Sequence, residues 1–305
     1  MKKFAPIFVI TAAALWGVDG IILRPSLYSL PVALVVFIES SIVALILSPL
    51  FIKQFQKLKE LQLKDWLAFG GGALFGGAIG TMAITKALFY VDFVNLSIVI
   101  LIQKLQPLFA LLLAAIVLKE RLPKIFFLWA STAIIGAYLM TFGLQTPAVT
   151  PGDKTLYAAL FALIAAAGFG SSTVFSKRAL KNVGFELGTY LRFSITSIIM
   201  VLIVLAFGEM NSLAQVTTYQ ILIFLLIAFT TGGLAIFLYY FGLKNITASV
   251  ATICELAFPL TAVLLEYILR GNILDIVQWT GVIILMISIL KVSGIRIQKV
   301  KKTSA

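Results

Sequence analysis

The sequence predicts an all-α polytopic membrane protein with ten transmembrane helices, arranged as two inverted repeats of five helices each. Three observations support this prediction: apolar blocks long enough to span a membrane, basic residues concentrated between them, and similarity between the two halves of the chain. Of the 305 residues, 61% are hydrophobic and 12% are charged, and the mean hydropathy is +1.08. Soluble globular chains carry roughly 25% charged residues, so this chain has too little polar surface to face water all round.

Ten apolar blocks, separated by polar residues, glycines or prolines, follow one another along the chain. Each is close to or above the roughly 20 residues that a helix needs to cross ~30 Å of hydrocarbon. A membrane β-barrel would instead show short segments of alternating polarity, and the sequence has none. The predicted spans are 4–23, 32–50, 66–88, 93–117, 124–143, 155–176, 186–207, 219–241, 246–268 and 273–292.

The distribution of Lys and Arg predicts that both termini lie in the cytoplasm. When the segments between spans are assigned alternately to the two sides, eighteen cations fall on the side of the termini and three on the other. Cytoplasmic segments are enriched in Lys and Arg, so we expect a multi-pass protein of the cytoplasmic membrane. The net charge of +12 then orients the chain in lipid rather than binding nucleic acid. The N-terminal segment also resembles a signal peptide, but its counterpart later in the chain favours a membrane span.

The two halves of the chain align with each other when a single one-residue shift is allowed. Gly17 then matches Gly170, Glu39 matches Arg192, and Gln103 matches Glu255. The aligned segments are ALWGVDGIILR (14–24) with AAGFGSSTVFSK (166–177), and GTMAITKALFYVDFVNLSIVILIQKLQP (80–107) with GGLAIFLYYFGLKNITASVATICELAFP (232–259).

An odd number of spans per half means that the second half enters the membrane from the opposite side. We therefore predict inverted repeats at residues 1–150 and 151–305, which together form one integrated membrane domain. Inverted repeats are typical of secondary transporters, whose substrate sites lie near the bilayer midplane at the repeat interface. A duplicated channel would share this architecture, and we favour the transporter because the charges cluster centrally rather than along a continuous pore.

Two motifs resemble a known family. ALWGVDG opens the first repeat, and QPLFALLLAAIVLKERL (106–122) places a proline, an apolar run and a KE-R-L pattern at the end of the fourth span. With the ten spans as five plus five, they resemble the EamA-type members of the drug/metabolite transporter superfamily. The second repeat matches less well, because Asn272 stands where that family usually has the Glu equivalent to Glu120. The resemblance implies a transporter of amino acids, other small metabolites, drugs or nucleotide sugars.

Ionisable side chains within the spans are candidate functional groups, because a charge in hydrocarbon costs several kcal/mol unless it is paired or hydrated. At ~1.5 Å per helical residue, Lys104 and Glu255 lie ~16 Å and ~14 Å inside their spans, near the midplane. The two could bind the carboxylate and ammonium of a zwitterion, or pair with each other as a structural ion pair. The predicted substrate-binding residues are Gln103, Lys104, Gln106, Thr252, Glu255 and Trp16.

A second set of charged residues is predicted to couple or gate transport. Glu39 and Arg192 occupy equivalent repeat positions, so we expect them at mirrored depths, each with its own partner; Lys86 and Arg24 are candidates for Glu39. Local structural pairs would explain these charges equally well. Glu266 lies on the same helix face as Glu255, as a pathway would require. The predicted coupling or gating residues are Glu255, Glu39, Arg192, Glu266 and Asp19.

Prolines and glycines predict kinks and close packing within the spans. Pro107 and Pro259 are predicted hinges, because each removes a backbone donor and frees a carbonyl one turn earlier, at Gln103 and Glu255. A face of small residues in span 3 predicts close helix contact; it is formed by Gly72, Gly76 and Gly80.

The function that these features favour is secondary transport of small polar or amphipathic metabolites, amino-acid-like ones above all, by alternating access. The alternative is a channel or facilitative exchanger for drugs, choline-like cations, or sugar or phosphate derivatives. A membrane enzyme would need paired Asp clusters or a HExxH motif, and the sequence has neither and no histidine. We expect no metal and no cofactor. The expected partners are a small-molecule substrate, protons as candidate co-substrates and membrane lipids; a monomer and a homodimer are both compatible with the sequence.

Overall fold

The apolar blocks of the sequence fold into helices of membrane-spanning length. The computed structural model describes residues 4–90, 99, 102–145, 153–270, 274–294 and 298–299. Within these residues, nine helices are long and apolar enough to cross a membrane. The predicted span 93–117 falls partly outside the described residues, and its described part contains a shorter apolar helix, Gln106–Leu118. The prediction of an all-helical membrane protein is therefore confirmed.

Several predicted spans consist of two helical pieces. Among the described residues, the α-helices of the first half are α1 (Ala5–Val18), α2 (Val32–Gln54), α3 (Leu63–Gly72), α4 (Thr81–Tyr90), α5 (Gln106–Leu113) and α6 (Lys124–Phe142). Those of the second half are α7 (Asp153–Ala179), α8 (Phe185–Ala206), α9 (Thr218–Phe229), α10 (Gly233–Asn245), α11 (Ala248–Cys254), α12 (Ala257–Arg270) and α13 (Ile276–Ser293). Two short strands, β1 (Glu120–Arg121) and β2 (Gln298–Lys299), pair antiparallel.

Three segments of wider, π-helical winding interrupt the described part of the first half. One continues α1 over Asp19–Leu23, one joins α3 to α4 over Ala73–Gly80, and one follows α5 over Ala114–Leu118. In the second of these, the Thr81 hydroxyl donates a 2.9 Å hydrogen bond to the Gly76 carbonyl. Such bulges are frequent at functional sites, and the first two border the cavity described below.

The helices of the two halves pack in equivalent pairs. Helix α1 packs against α10 and α12, and α7 packs against α4 and α5. Helix α2 packs against α8, and α6 packs against α13. Exchanging each span for the one five places along the chain converts the contacts of α1 into those of α7. The same exchange leaves the α2–α8 and α6–α13 contacts unchanged. The packing therefore has the two-fold character that the internal sequence similarity predicts.

The same symmetry holds at the level of single glycines. A Cβ on Gly17 would lie 2.9 Å from the Phe258 carbonyl oxygen and 3.2 Å from the Ala262 nitrogen. A Cβ on Gly170 would lie 2.8 Å from the Gln106 carbonyl oxygen and 2.9 Å from the Ala110 nitrogen. The contacted residues are related by the offset of 152 found in the sequence. Each glycine thus permits the first helix of one half to pack closely on the other half.

The small face predicted in span 3 does make a close helix contact. Gly72 faces Ser176 and Gly76 faces Ser172, so that this segment runs against α7 with almost no side chain between the backbones. The Ser172 hydroxyl donates a 2.9 Å hydrogen bond to the Gly72 carbonyl. Close approach of backbones through small residues is how membrane helices pack tightly, and it fixes the position of α7 beside the cavity.

Large apolar side chains cover the outside of the helical bundle. Leu45 is 72% exposed, Ile116 is 72% exposed and Ile276 is 86% exposed. Exposed apolar surface of this extent marks contact with a membrane or a partner rather than with water. The interior instead encloses polar groups, among them Asp19 and Lys104, each 6% exposed.

Candidate functional site

A cavity of about 270 Å³ lies between the two halves of the molecule. Both halves contribute to it, through α1, α2 and the α3–α4 segment on one side and α7, α8 and α10 on the other. Its wall combines a broad aromatic surface with charged and amide groups. The aromatic residues are Trp16, Phe169, Phe193, Tyr239 and Phe258. The charged residues are Asp19, Arg24, Glu39, Arg192 and Glu255, and the amides are Gln103 and Gln106.

Glu255 reaches the cavity from a break between two helices. Helix α11 ends at Cys254 and α12 begins at Ala257, so that Glu255 and Leu256 form a turn inside the predicted ninth span. Pro259 cannot donate a hydrogen bond to the carbonyl one turn before it. That carbonyl was predicted to be free, but this is wrong, because the Phe258 amide donates a 3.0 Å bond to the Glu255 oxygen. The break is thus a tightened turn with its backbone satisfied.

The Glu255 carboxylate is held by neutral donors. Gln106 Nε2 donates to Oε2 at 2.6 Å, and the hydroxyls of Tyr239 and Thr173 lie 2.8 Å and 3.1 Å from Oε1. Among the described residues, no Lys or Arg lies within ion-pair distance of it. Gln106 comes from the first half and the hydroxyls from the second, so the carboxylate connects the two halves across the cavity.

Lys104 does not join Glu255, although both were predicted near the midplane. Lys104 Nζ donates to the Ala137 carbonyl at 2.6 Å and to the Thr141 hydroxyl, and it lies 5.8 Å from the centre of the Phe142 ring. All three partners belong to α6. The reason is geometric: Gln103, not Lys104, is the residue equivalent to Glu255, and one helical residue adds about 100° of rotation.

A second, smaller cavity of about 40 Å³ separates the two helix breaks. Lys104, Thr252 and both predicted hinges, Pro107 and Pro259, line it, together with Gln103, Gln106, Glu255, Leu256 and Phe258. Thr252 is 1% exposed, and its hydroxyl has no hydrogen-bond partner among the residues that the structure describes. Of the predicted substrate-binding residues, Trp16, Gln103, Gln106 and Glu255 border the larger cavity, whereas Lys104 and Thr252 border only the smaller one.

Asp19, Arg24 and Glu39 form one ion cluster at the cavity wall. Arg24 Nε lies 2.6 Å from Asp19 Oδ2, and Arg24 Nη2 lies 3.2 Å from Glu39 Oε2. The Thr231 hydroxyl donates to the other Asp19 oxygen at 3.1 Å. Asp19, one of the predicted coupling or gating residues, is buried, because the π-helical turn after α1 brings Arg24 back onto it. Of the two candidate partners of Glu39, the structure pairs it with Arg24 and not with Lys86.

Arg192 lies on the same cavity as Glu39, with neutral partners. Its Nη1 lies 3.0 Å from the Ser172 hydroxyl and 3.4 Å from the Gly72 carbonyl, and its guanidinium lies 5.9 Å from the centre of the Tyr240 ring. Arg192 takes part in no ion pair within the described residues. Although mirrored depths were expected, Glu39 and Arg192 thus contribute to one common site.

Of the two remaining candidate charges, Lys86 lies away from this site. Lys86 is exposed, and its Nζ lies 5.6 Å from the centre of the Tyr90 ring. Long cationic side chains near a span end typically reach outward to water in this way. The side chain of Glu266, on α12, is outside the described part of the structure.

Sequence reasoning missed three residues around the site. Thr173 and Tyr239 hold Glu255, but hydroxyls within apolar helices give no distinguishing pattern. Glu120 was noticed only as part of the KE-R-L motif. Its carboxylate accepts bonds from the Ala248 and Ser249 amides at 2.9 Å and 3.1 Å and from the Ser249 hydroxyl at 2.5 Å. It therefore caps the N-terminus of α11, where a negative charge also complements the helix dipole.

The sequence matches a family model twice, once in each half. The model describes the EamA-like transporter family, and it matches residues 3–142 and 156–294. The chain belongs to the EamA-like transporter family. It is accordingly a transporter of the drug/metabolite transporter superfamily and not an enzyme. The family resemblance predicted from the sequence is thereby confirmed.

One relative and one solved structure cover nearly the whole chain. The riboflavin transporter ImpX of Fusobacterium nucleatum subsp. nucleatum is 46% identical over 288 residues, which cover 94% of this chain and 96% of that protein. The crystal structure of another protein has a TM-score of 0.73 at 17% identity, and the match covers 96% of this chain and 97% of that one. At that identity the likeness shows a shared fold. Transport of a small metabolite is supported by the family and by the relative.

Proposed function

We propose that this protein is a secondary transporter of riboflavin, or of a closely similar flat aromatic metabolite, across the cytoplasmic membrane. The observation that carries this proposal is the cavity between the two halves, with five aromatic side chains, five charged residues and two amides on its wall. Predominantly apolar clefts with a small number of placed polar groups are typical of small-molecule sites. The name of the relative that is 46% identical supplies the substrate class.

The transport cycle that we propose is alternating access by ten spans with both termini in the cytoplasm. Repeats at 1–150 and 151–305 would exchange conformations around the cavity, with the breaks at Pro107 and Pro259 as hinges. The equivalent contacts of Gly17 and Gly170 support this division, because each half packs on the other through the same kind of contact. The Asp19–Arg24–Glu39 cluster would act as a gate, since it joins the end of α1 to α2 beside the cavity.

Proton coupling through Glu255 is a further part of the proposal. A carboxylate at membrane depth is costly unless it is paired with a cation, and the donors to Glu255 are an amide and two hydroxyls. All of these donors can also bond a protonated carboxyl group. Binding and release of a proton at Glu255 could therefore accompany substrate binding without rearranging its surroundings.

An amino-acid-like substrate is the second candidate. Arg192 and Glu255 face the same cavity with opposite charges and neutral partners. Such a pair suits the carboxylate and ammonium of a zwitterion, although the predicted cation for this role was Lys104. The broad aromatic wall favours the flavin over small zwitterions.

The experiment that tests this function is uptake and counterflow in proteoliposomes containing the full chain. Riboflavin is compared with a panel of amino acids, choline and sugar phosphates, with and without an imposed pH gradient. We expect saturable riboflavin flux that the gradient accelerates, and no competition from the rest of the panel. Saturable flux of an amino acid without riboflavin flux would establish the second candidate instead. Absence of saturable riboflavin flux would refute the proposed substrate.

A further inference from the structure

The five charged groups of the large cavity divide into two kinds. Asp19, Arg24 and Glu39 satisfy one another in a single ion cluster. Arg192 and Glu255 have only neutral partners within the described residues. An ionised group with unused hydrogen-bonding capacity at a cavity wall is a strong recognition element, because charged hydrogen bonds stabilise more than neutral ones. Arg192 and Glu255 are therefore the groups free to read a ligand.

Helix α7 holds these two groups through successive residues. The Ser172 hydroxyl lies 3.0 Å from Arg192 Nη1, and the Thr173 hydroxyl lies 3.1 Å from Glu255 Oε1. The Ser172 hydroxyl is itself bonded to the Gly72 carbonyl. The guanidinium and the carboxylate are thus both positioned by neighbouring residues of one helix. Both line the same cavity, where they offer a ligand a donor and an acceptor.

The aromatic wall adjoins the acceptor. Trp16 and Tyr239 lie with ring centres 5.3 Å apart, and the Tyr239 hydroxyl is bonded to Glu255. A planar ligand stacked along Trp16 would therefore direct one edge toward the carboxylate. Aromatic stacking favours flat ring systems of any charge, whereas the edge that meets Glu255 must carry a hydrogen-bond donor.

Riboflavin has an edge with this pattern. The pyrimidine-dione end of its isoalloxazine ring carries the N3–H donor between the C2 and C4 carbonyl acceptors. We propose that Glu255 accepts the N3–H hydrogen bond while Arg192 donates to a neighbouring carbonyl, so that this imide edge is the feature by which the transporter selects its substrate. The inference rests on the proposed function, which supplies the flavin.

The test is a binding titration of the purified full-length protein in detergent, followed by quenching of flavin fluorescence. The ligands are riboflavin, N3-methylriboflavin, which lacks the donor, and lumichrome, which keeps the imide edge but lacks the ribityl chain. We expect methylation at N3 to weaken binding by about tenfold, as loss of a hydrogen bond to a charged group does. Relative to riboflavin, lumichrome should lose less binding affinity than N3-methylriboflavin does.

The Glu255→Gln variant tests whether Glu255 is the group that binds the imide edge of the ligand. It should weaken riboflavin binding about tenfold, because a neutral acceptor replaces a charged one, and it should reduce the preference over N3-methylriboflavin. The matched control is Glu39→Gln, which changes an acid of the same cavity and should leave that preference unchanged. If both variants abolish the preference equally, Glu255 is not the group that reads N3–H, and the inference fails.

The wild-type protein alone separates the inference from the function on which it rests. Equal binding of riboflavin and N3-methylriboflavin would overturn imide recognition and leave riboflavin transport standing. Absence of riboflavin binding would overturn the proposed substrate, and the imide proposal with it. This comparison needs no variant, so it decides the matter even if Glu255→Gln does not fold.

Discussion

The two helix breaks at the centre of the molecule have similar backbones and different chemistry. In the first half, Lys104 and Leu105 form a turn before α5; in the second, Glu255 and Leu256 form a turn before α12. The equivalent prolines, Pro107 and Pro259, follow shortly after these turns, and the small cavity lies between the two breaks. Yet Lys104 turns toward α6, whereas Glu255 reaches into the large cavity. The repeat supplies a symmetric framework, and single residues decide what each half contributes to the site.

That difference assigns distinct roles to two charges at similar depth. Lys104 is surrounded by a carbonyl, a hydroxyl and an aromatic ring of one helix, so it stabilises the position of α6. Glu255 is held by groups from both halves and remains accessible from the cavity. Under alternating access, a group bonded to both halves must change its surroundings during the cycle, whereas a group held by one helix can move with it.

The largest expected effect follows from removing the charge at the second break. The Glu255→Gln variant should lose acceleration of riboflavin flux by a pH gradient, because an amide cannot bind and release the proton. Counterflow, which needs no net proton movement, should persist at a reduced rate. Proteoliposome uptake with and without the gradient measures both quantities. Unaltered gradient-driven flux in this variant would rule out Glu255 as the coupling group.

A large effect on stability is expected at the N-terminus of α11, which leads into the second break. Glu120→Ala leaves two backbone amides and one hydroxyl without their acceptor. Loss of acceptors for buried donors should lower the free energy of unfolding by on the order of 3 kcal/mol. Glu120→Gln keeps an acceptor oxygen, so its free energy of unfolding should fall clearly less. Thermal unfolding in detergent ranks the three proteins, and equal melting of wild type and Glu120→Ala would show that this cap is dispensable.

A moderate and symmetric effect is expected at the two glycines that pack between halves. A methyl group at Gly17 or Gly170 would press on a carbonyl oxygen of the opposite half, at 2.9 Å and 2.8 Å respectively. Overpacking of this kind costs typically ~1–3 kcal/mol. Gly17→Ala and Gly170→Ala should therefore destabilise the protein to a similar extent, as thermal unfolding would report. Gly20→Ala is the control, because no described atom outside the adjoining backbone lies within 4 Å of the added carbon. A marked difference between Gly17→Ala and Gly170→Ala would argue against equivalent packing.

The fold could be predicted further from the sequence than the site could. Apolar block length predicts helices directly, and the aligned halves predicted that Gly17 and Gly170 are equivalent, because both depend only on spacing along the chain. The depth of Lys104 was likewise readable, but its direction was not, since one residue of rotation changes which neighbour a side chain meets. The burial of Asp19 depends on a π-helical turn that no sequence pattern predicted.

The partners of Glu255 and Glu120 are the part that sequence alone could not supply. Thr173 and Tyr239 are common residues of apolar helices until the fold brings them to a carboxylate. The acceptor role of Glu120 depends on α11 of the opposite half lying beside the end of the fourth span. Both cases require contacts between residues more than 15 positions apart, which periodicity within one helix does not report.

The central claim is that Glu255 at the second break contacts the substrate and Lys104 at the first does not. The most direct test is riboflavin affinity, measured by fluorescence quenching, for wild type, Glu255→Gln and Lys104→Met under identical conditions. Lys104→Met preserves the aliphatic bulk of the side chain, and it should leave the affinity within about twofold of wild type, because Lys104 Nζ points into α6. Glu255→Gln should weaken binding about tenfold. The reverse order, with Lys104→Met weakening riboflavin binding and Glu255→Gln leaving it intact, would contradict the account.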